Sequence, residues 1–394
     1  MSLSVSKRMA AVRPSPTGAV LELATELRAA GRDIISLGAG EPDFDTPQHI
    51  KHAAIEAIGS GLTKYTPVDG TAELKAAVQR KFARDNELDY APAEILVTSG
   101  AKQALFNLCI ALLGPGDEAI IPAPYWVSYP DMVRLAGAEP VLVAAGIEQN
   151  FKITPAQLEA AIGEKSKLFI LNSPSNPTGA SYTESELQAL GSVLGKHPGV
   201  VTVSDDIYEH IHWANDPFIS FATACPHLKD RIVTTNGVSK AYAMTGWRIG
   251  YAAGPRTLIS AMKTVQSQST SNPCSISQAA ALAALDGDQA PVGEMTAAYR
   301  QRHDFLVAAL NDIGGVECRP GEGTFYAFPK VSAALQQLGL ASDIELAELL
   351  LKEADVACVP GSAFGAPAYL RLSFACSMEM LAEAIKRMKR VMAA

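Results

Sequence analysis

The sequence lacks the features that mark an exported, membrane-spanning or zinc-binding protein. No apolar run approaches the about 18 residues that a membrane-spanning helix needs, and the first residues contain no signal-peptide core. There are only six cysteines in 394 residues, and none belongs to a CxxC pair. We therefore expect no disulfide or zinc site, thiols buried in the fold, and a protein of the reducing cytoplasm.

Positive charge is also in short supply. The chain has 33 Lys and Arg against 41 Asp and Glu, which gives a formal net charge of −8. This balance argues against a nucleic acid or an anionic membrane as a partner. His210 and His212 supply only half of a metal site, and no neighbouring residues in the sequence complete it, so we predict no metal.

The glycine motifs of common nucleotide-binding folds are missing as well. Gly38 and Gly40 follow a strand-like segment, yet the third glycine of a dinucleotide fingerprint is absent, and Pro42 stands where the helix should begin. The chain contains neither GxxxxGKS/T nor GxSxG. These absences argue against a dinucleotide site, a P-loop and the nucleophile elbow of a hydrolase.

What the sequence does contain is a regular alternation of short apolar segments and helical patterns. Apolar strands that alternate with helices are typical of an α/β domain whose mostly parallel sheet is covered on both faces. Helix starts are predicted at the capping residues Thr154, Thr183 and Ser342. Seven strands are predicted, at Glu94–Thr98, Glu118–Pro122, Pro140–Ala144, Leu168–Leu171, Val200–Ser204, Arg231–Thr235 and Arg248–Ala252.

The two ends of the chain differ from this middle part. Near the C-terminus, a long helical stretch precedes two more predicted strands, Thr324–Phe328 and Tyr369–Ser373, and a helical stripe lies near the N-terminus. The polar, turn-rich segment Asp286–Pro291 separates the C-terminal part from the middle. We predict a large domain over residues 46–288 and a smaller α+β domain formed by residues 1–45 and 289–394.

Four segments at the ends of predicted strands carry groups suited to chemistry. The small residues of Thr98–Leu105 open a helix, so its backbone N–H groups can approach an anion. Asn172–Gly179 is a loop fixed by two prolines, and Asp205 and Tyr208 follow another strand. Lys240 lies among small, apolar residues, a setting that lowers the pKa of an amine. Each segment taken singly also has a structural explanation, as a tight turn, a surface loop, a helix cap or an exposed cation.

Taken together, a lysine amine, a carboxylate, an anion-binding turn and Arg248 are the groups that pyridoxal phosphate (PLP) requires. SKAYAMTGWRIG at residues 239–250 and NPTG at residues 176–179 resemble segments of the class I PLP-dependent aminotransferases of fold type I. The resemblance covers essentially the whole chain, from Arg13 to Phe374. It is strongest to the bacterial aspartate aminotransferases, a subgroup that includes aspartate/prephenate enzymes.

The resemblance implies a role for each residue around the cofactor. It makes Lys240 the residue that holds PLP as an internal aldimine and then moves a proton, and Asp205 the partner of the pyridine nitrogen. Tyr208 and Asn176 would contact the phenolic oxygen of the ring. The other implied cofactor residues are Trp126, which would stack on the ring, Gly100, Ala101, Lys102 and Arg248 at the phosphate, and Tyr65, which would reach the phosphate of the second subunit of a homodimer.

The resemblance also implies the substrate contacts. It assigns Arg371 to the α-carboxylate. In better-known subgroups an arginine of the partner subunit binds the distal carboxylate, but the corresponding stretch Ser267–Ser277 has no basic residue. The remaining implied substrate residues are Gly40, Trp126 and Asn176, with Ser15, Thr17 and Lys102 at the distal carboxylate and Arg13 near them.

These implications predict a cytoplasmic homodimeric transferase of amino-acid metabolism. It would convert L-aspartate and 2-oxoglutarate to oxaloacetate and L-glutamate by a ping-pong route through Lys240. Two alternatives stay open: an aminotransferase for prephenate, aromatic or other amino acids, and a PLP-dependent lyase on the same fold. An aminotransferase-like domain of a transcription regulator is disfavoured, because the resemblance already begins at Arg13 and the net charge is negative.

Overall fold

The computed structural model describes residues 5–12 and 16–392. Within them, twelve strands form a seven-stranded, a three-stranded and a two-stranded sheet. The strands are β1 (Ile35–Ser36), β2 (Ile95–Thr98), β3 (Glu118–Ala123), β4 (Glu139–Ala144), β5 (Ser166–Asn172), β6 (Val201–Asp205), β7 (Ile232–Gly237), β8 (Gly250–Ala253), β9 (Tyr326–Ala327), β10 (Val356–Ala357), β11 (Val359–Pro360) and β12 (Leu370–Ser373).

The seven-stranded sheet has the order β2-β8-β7-β6-β5-β3-β4. Only β8 runs antiparallel to its two neighbours, and the other pairings are parallel. All seven strands predicted from the sequence are present in this sheet, with ends shifted by at most two residues. The predicted fold class, an α/β fold with a mostly parallel seven-stranded sheet, is confirmed.

Helices cover both faces of this sheet. Neighbouring strand residues point to opposite faces, so Val97 and Ile120 join one apolar core while Leu96 and Ile121 join the other. The α-helices of the described residues are α1 (Pro16–Ala29), α2 (Gln48–Gly59), α3 (Ala72–Asn86), α4 (Ala101–Leu112), α5 (Tyr129–Leu135), α6 (Pro155–Ala161), α7 (Glu184–Gly195), α8 (Phe221–Ala224), α9 (Arg256–Ser267), α10 (Ser275–Asp286), α11 (Ala290–Asn311), α12 (Ser332–Leu338), α13 (Asp343–Glu353) and α14 (Met378–Met392). Among these described helices, none is both long and apolar enough to cross a membrane.

The predicted helix starts are observed. The hydroxyls of Thr154 and Thr183 accept from the backbone N–H groups three residues on and form capping boxes at α6 and α7. The Ser342 hydroxyl also accepts from the backbone N–H three residues on and caps α13. The expectation of buried thiols is wrong for Cys274, which is exposed because it occupies the N-cap position of α10, whereas the other five cysteines are buried.

A further apolar core, here called the C-terminal core, is distinct from the two cores on the sheet faces and contains residues from both ends of the chain. Strand β1 pairs in parallel with β10, so Ile35 lies opposite Val356. Next to this pair, Ala24 of α1 packs with Leu351 and Ala357. The N-terminal segment therefore packs with the C-terminal third. This is the arrangement that the smaller domain requires, and the residue limits of that domain stay a prediction.

Candidate active site

A cavity of about 410 Å³ lies at the carboxyl ends of β5 and β6, and Tyr208 and Tyr326 of the C-terminal core also line it. Parallel sheets bind their ligands at this edge. Gly100 directly precedes the cavity-lining end of α4, but Tyr65 is 92% exposed and does not line the cavity. Ser15, Arg13 and the side chain of Thr17 lie outside the described residues. The predicted site residues that line the cavity are Gly40, Ala101, Lys102, Trp126, Asn176, Asp205, Tyr208, Lys240, Arg248 and Arg371.

Asp205 is the buried carboxylate of this cavity. It ends β6 and lies between Asn172 of β5 and Thr235 of β7. Its Oδ2 accepts a 2.6 Å hydrogen bond from the Tyr129 hydroxyl, and burial raises the pKa of Asp205 to about 6. Asp206 points away from the cavity and accepts 2.6 Å bonds from the hydroxyls of Ser204 and Ser220. The strand alternation therefore directs Asp205, not Asp206, toward a ligand.

Lys240 is the amine of the cavity. Its Nζ donates to the carbonyl oxygen of Gly40 and lies 5.9 Å from the ring centroid of Tyr208. Burial and the nearby charge of Arg371 lower the pKa of Lys240 to about 8. Roughly a tenth to a fifth of this amine is therefore neutral, and thus nucleophilic, near neutral pH, far more than for a lysine with the ordinary pKa.

An anion-binding cradle lies at the start of α4. Gly100 occupies the N-cap position with φ +85°, and no side chain caps this helix end. A side chain at Gly100 would collide with the Arg248 guanidinium, and one at Gly250 with the backbone of Ala101. Backbone N–H groups at a helix start, beside an arginine and without intervening side chains, fit a phosphate group.

Arg371 is the second buried cation. Its Nη1 donates to Asn176 Oδ1 at 3.0 Å and its Nη2 to the carbonyl of Gly38 at 2.8 Å. The guanidinium lies 4.4 Å from the ring centroid of Tyr326, and its buried Nε has no hydrogen-bond partner among the described residues. A buried guanidinium with an unused donor is suited to bind a carboxylate.

Lys102 and Trp126 form the opposite wall. Lys102 Nζ lies 4.8 Å from the Trp126 ring centroid, and burial and the charge of Arg248 lower the pKa of Lys102. Lys102 also borders a second cavity of about 440 Å³, which apolar side chains such as Phe106 and Met132 line. Because Lys102 also lines the first cavity, its ammonium can meet an acidic group of a ligand that lies there.

The sequence prediction missed two tyrosines of this cavity. Tyr129 bonds Asp205, and the Tyr326 hydroxyl lies 3.1 Å from that of Tyr208. Tyr129 stands three residues after Trp126, a spacing that would have placed both on one side of a helical turn. Tyr326 belongs to the predicted strand Thr324–Phe328, but nothing local indicates that this strand closes the cavity.

A separate polar cluster lies away from the cavity. Ligand atoms of Asp85, Glu209 and His210 lie within 4.8 Å of one another, a grouping that the sequence neighbours of His210 did not reveal. Glu209 is already paired with the buried Lys81 and accepts from Asn236 Nδ2 at 2.8 Å. The cluster is therefore a buried ion-pair network.

Known proteins similar to this chain include several that are named as aminotransferases. A family model described as aminotransferase class I and II matches residues 32–388. The aspartate/prephenate aminotransferase of Nitrosomonas europaea is 56% identical over 391 residues, 98% of either chain. The aspartate aminotransferase of Geobacillus stearothermophilus is 52% identical over 393 residues, 100% of either chain.

Solved structures agree with these sequence relatives. The aspartate aminotransferase of Rhizobium meliloti superposes with a TM-score of 0.96 at 46% identity, covering 100% of this chain and 99% of that one. The aspartate aminotransferase of Thermus thermophilus with maleate gives a TM-score of 0.94 at 44% identity, covering 99% and 100%.

Proposed function

The chain belongs to the class I and II aminotransferases, and from this premise we propose that it transfers the amino group of L-aspartate to 2-oxoglutarate, giving oxaloacetate and L-glutamate. That it is a PLP-dependent aminotransferase follows from its family. The observation that carries the narrower proposal is the placement of Lys240, Asp205 and Arg371 around one cavity, with Lys102 in its wall.

The residues around the cavity fit PLP. The Gly100 cradle and Arg248 suit its phosphate, Asp205 suits the cationic ring nitrogen, and Lys240 Nζ would hold the cofactor covalently. Trp126 would stack on the ring. When bound, the cofactor supplies a ring that withdraws electrons from the α-carbon of the substrate.

The residues of the chain would then perform four tasks. Arg371 would bind the substrate α-carboxylate, with Asn176 fixing the guanidinium. Once the substrate amine has displaced it, the Lys240 amine, whose pKa is lowered to about 8, would accept the proton of the substrate α-carbon and pass it to the cofactor carbon that keeps the amino group. Asp205 would keep the ring nitrogen protonated, and Tyr208 with Asn176 would contact the phenolic oxygen.

Lys102 supports the proposal of a substrate with an acidic side chain. Ser15 and Thr17 are proposed as further contacts of that acidic group; the structure describes neither of their side chains. The Lys102 ammonium borders the cavity beside Trp126, where the distal carboxylate of aspartate would lie. Prephenate is a second candidate substrate. The second cavity beyond Lys102, which both apolar and polar residues line, offers room for a bulkier dicarboxylic acid, and a relative is named for both activities.

A homodimer is part of the proposal. Helix α2 and the loop after it expose Ile55, Ile58 and Leu62, with exposed fractions of 63%, 56% and 41%. Tyr65 follows on the same segment and is 92% exposed. An apolar strip beside a tyrosine that is remote from its own cavity supports a contact in which Tyr65 serves the partner subunit. Free cysteines, five of them buried, support the proposed cytoplasmic location.

Half-reaction spectra test the proposed activity. The purified holoenzyme is mixed with L-aspartate alone, and the cofactor absorbance should change once and be restored by 2-oxoglutarate. A lyase would turn over aspartate continuously without the 2-oxo acid. Asp205→Asn should slow the change by orders of magnitude, to a small residual rate, while the matched Asp206→Asn should leave most of it, because Asp206 points away from the cavity.

A further inference from the structure

Tyr129 has no role in the proposed function, yet it touches two of its residues. It is the first residue of α5, is 3% exposed, and its hydroxyl donates to Asp205 Oδ2 at 2.6 Å. We propose that Tyr129 is a positioning residue whose hydroxyl holds Asp205 as an aimed anion and whose ring braces Trp126. This inference rests on the proposed function, because it assumes that Asp205 pairs with the ring nitrogen of PLP.

The bond to Tyr129 is the main support of the Asp205 carboxylate. In the described part of the chain, the other donor to this carboxylate is the Ile207 N–H, at 3.4 Å from Oδ1. Hydrogen bonds of this length are weak, whereas an O–H to carboxylate bond of 2.6 Å is in the range of charge-assisted bonds. Loss of the hydroxyl would leave the buried carboxylate nearly unsupported.

The groups around Asp205 make its charge depend on the hydrogen bond from Tyr129. Burial raises the pKa of Asp205 to about 6, and the Lys240 amine opposes that shift. Tyr129 and Tyr208 face Asp205, and the Asp206 charge acts on Tyr129. Burial raises the pKa of Tyr129 well above its ordinary value, so its hydroxyl stays a donor. Removing that donor would favour the neutral acid, which cannot hold a proton on a ring nitrogen by ion pairing.

The ring of Tyr129 makes a second, separable contact. It meets Trp126 edge-on, with centroids 5.3 Å apart and planes at 83°. Lys102 lies over the same indole. One side chain thus fixes the direction of the acid through its hydroxyl and the tilt of the stacking ring through its edge. Tyr129→Phe removes only the first contact, and Tyr129→Leu removes both.

The central experiment measures protonation of the cofactor. Holoenzyme is prepared with PLP carrying 15N in the ring, and the nitrogen shift is followed by NMR against pH. In the Tyr129→Phe variant the nitrogen should lose its proton at a pH at least one unit lower than in the original protein. In the same variant kcat should fall roughly 10- to 150-fold, the loss expected for one hydrogen bond to a charged group, with little change in KM.

Tyr182→Phe is the matched control. Tyr182 is also a buried tyrosine with one hydrogen bond at its hydroxyl, from the Ile153 N–H at 2.8 Å, and it does not line the cavity. Its loss should leave the nitrogen titration and kcat unchanged. Equal nitrogen titrations in the Tyr129→Phe variant and the original protein would overturn the inference, even if Tyr129→Phe lowered kcat.

A double-mutant cycle separates this inference from the proposed function. If Tyr129 acts through Asp205, adding Tyr129→Phe to Asp205→Asn should cause no further loss of kcat. Additive losses would overturn the role through Asp205. An active Asp205→Asn enzyme would instead refute the proposed function itself. An inactive Asp205→Asn enzyme combined with a normal Tyr129→Phe enzyme would refute only the role of Tyr129.

Discussion

Arg371 and Asn176 are joined by a hydrogen bond of 3.0 Å between Nη1 and Oδ1, although 195 residues separate them in sequence. Arg371 belongs to β12 of the three-stranded sheet, and Asn176 to the loop that follows β5 of the seven-stranded sheet. The bond therefore connects the three-stranded sheet with the seven-stranded sheet at the cavity. It also fixes one edge of the guanidinium, so that the remaining donors keep a constant direction.

Arg371→Lys should weaken substrate binding for every amino acid. Lysine keeps the charge but lacks the planar fork, so at least one charge-assisted bond to the α-carboxylate is lost. A bond of this kind contributes about 1.5–3 kcal/mol, so kcat/KM should fall roughly 10- to 150-fold for aspartate and for an aromatic donor alike. Steady-state kinetics with both donors measure this.

Arg302→Lys is the matched control for that prediction. Arg302 is also an arginine of low exposure that lies over aromatic rings, 5.1 Å from the Phe44 centroid, and it pairs with Asp43 outside the cavity. Its replacement should leave kcat/KM unchanged. A loss for aspartate alone in Arg371→Lys would instead assign Arg371 to the distal carboxylate.

The covalent attachment of PLP should depend on pH through Lys240. Only the neutral amine attacks an aldehyde, and the pKa of Lys240 is lowered to about 8 by burial and by Arg371. The rate at which the apoprotein takes up PLP should therefore rise through pH 8 and level off above it. For a lysine with an ordinary pKa, the rate would keep rising until above pH 10. Stopped-flow absorbance measures the rate.

Variants at the two residues check this assignment. Lys240→Ala should still bind PLP without a covalent link, so borohydride should attach no cofactor to it. Arg371→Met removes a positive charge that lowers the pKa of Lys240, so its midpoint should lie above that of Arg371→Lys. A midpoint that is the same in both variants would show that burial alone sets this pKa.

Local sequence patterns were sufficient for the sheet, whereas the assignment of Asp205 as the cofactor's partner rested on the resemblance to the family. The structure supplies the physical reason: strand alternation has a period of two, so the adjacent carboxylates at the end of β6 face opposite ways, and only Asp205 lines the cavity. Tyr326 was missed because its contact with Tyr208 spans 118 residues and depends on how β9 packs against the segment that follows β6. Tyr65 could not be assigned a contact from one subunit, since it points to solvent.

The buried pair of Lys81 and Glu209 should be essential for stability. Both side chains are almost fully buried, and Glu209 also accepts from Asn86 and Asn236. Glu209→Gln removes the carboxylate next to the buried Lys81 ammonium and leaves it only the Asp85 carboxylate, 3.9 Å away, so the loss should approach about 3–5 kcal/mol of folding free energy. Denaturant unfolding measures the change.

The exposed pair of Lys352 and Glu348 provides the control for this stability effect. These side chains are 65% and 57% exposed, and their nitrogen and oxygen lie 3.0 Å apart. Glu348→Gln should cost no more than about 0.5 kcal/mol, because water screens the pair. Similar losses in Glu348→Gln and Glu209→Gln would contradict the explanation by burial.

Lys102 should determine the preference for acidic substrates. Its backbone lies in the first turn of α4 at the anion cradle, whereas its Nζ lies over Trp126 in the cavity wall. Lys102→Ala removes only the ammonium, so PLP binding should persist. The lost charge-assisted bond, about 1.5–3 kcal/mol, should lower kcat/KM for aspartate and glutamate roughly 10- to 150-fold and leave an aromatic donor nearly unaffected.

Lys102→Arg keeps the charge and should retain part of the acidic preference. Parallel losses for both donor types would show that Lys102 supports the cofactor, and no loss for either would leave the aspartate preference without a residue that explains it.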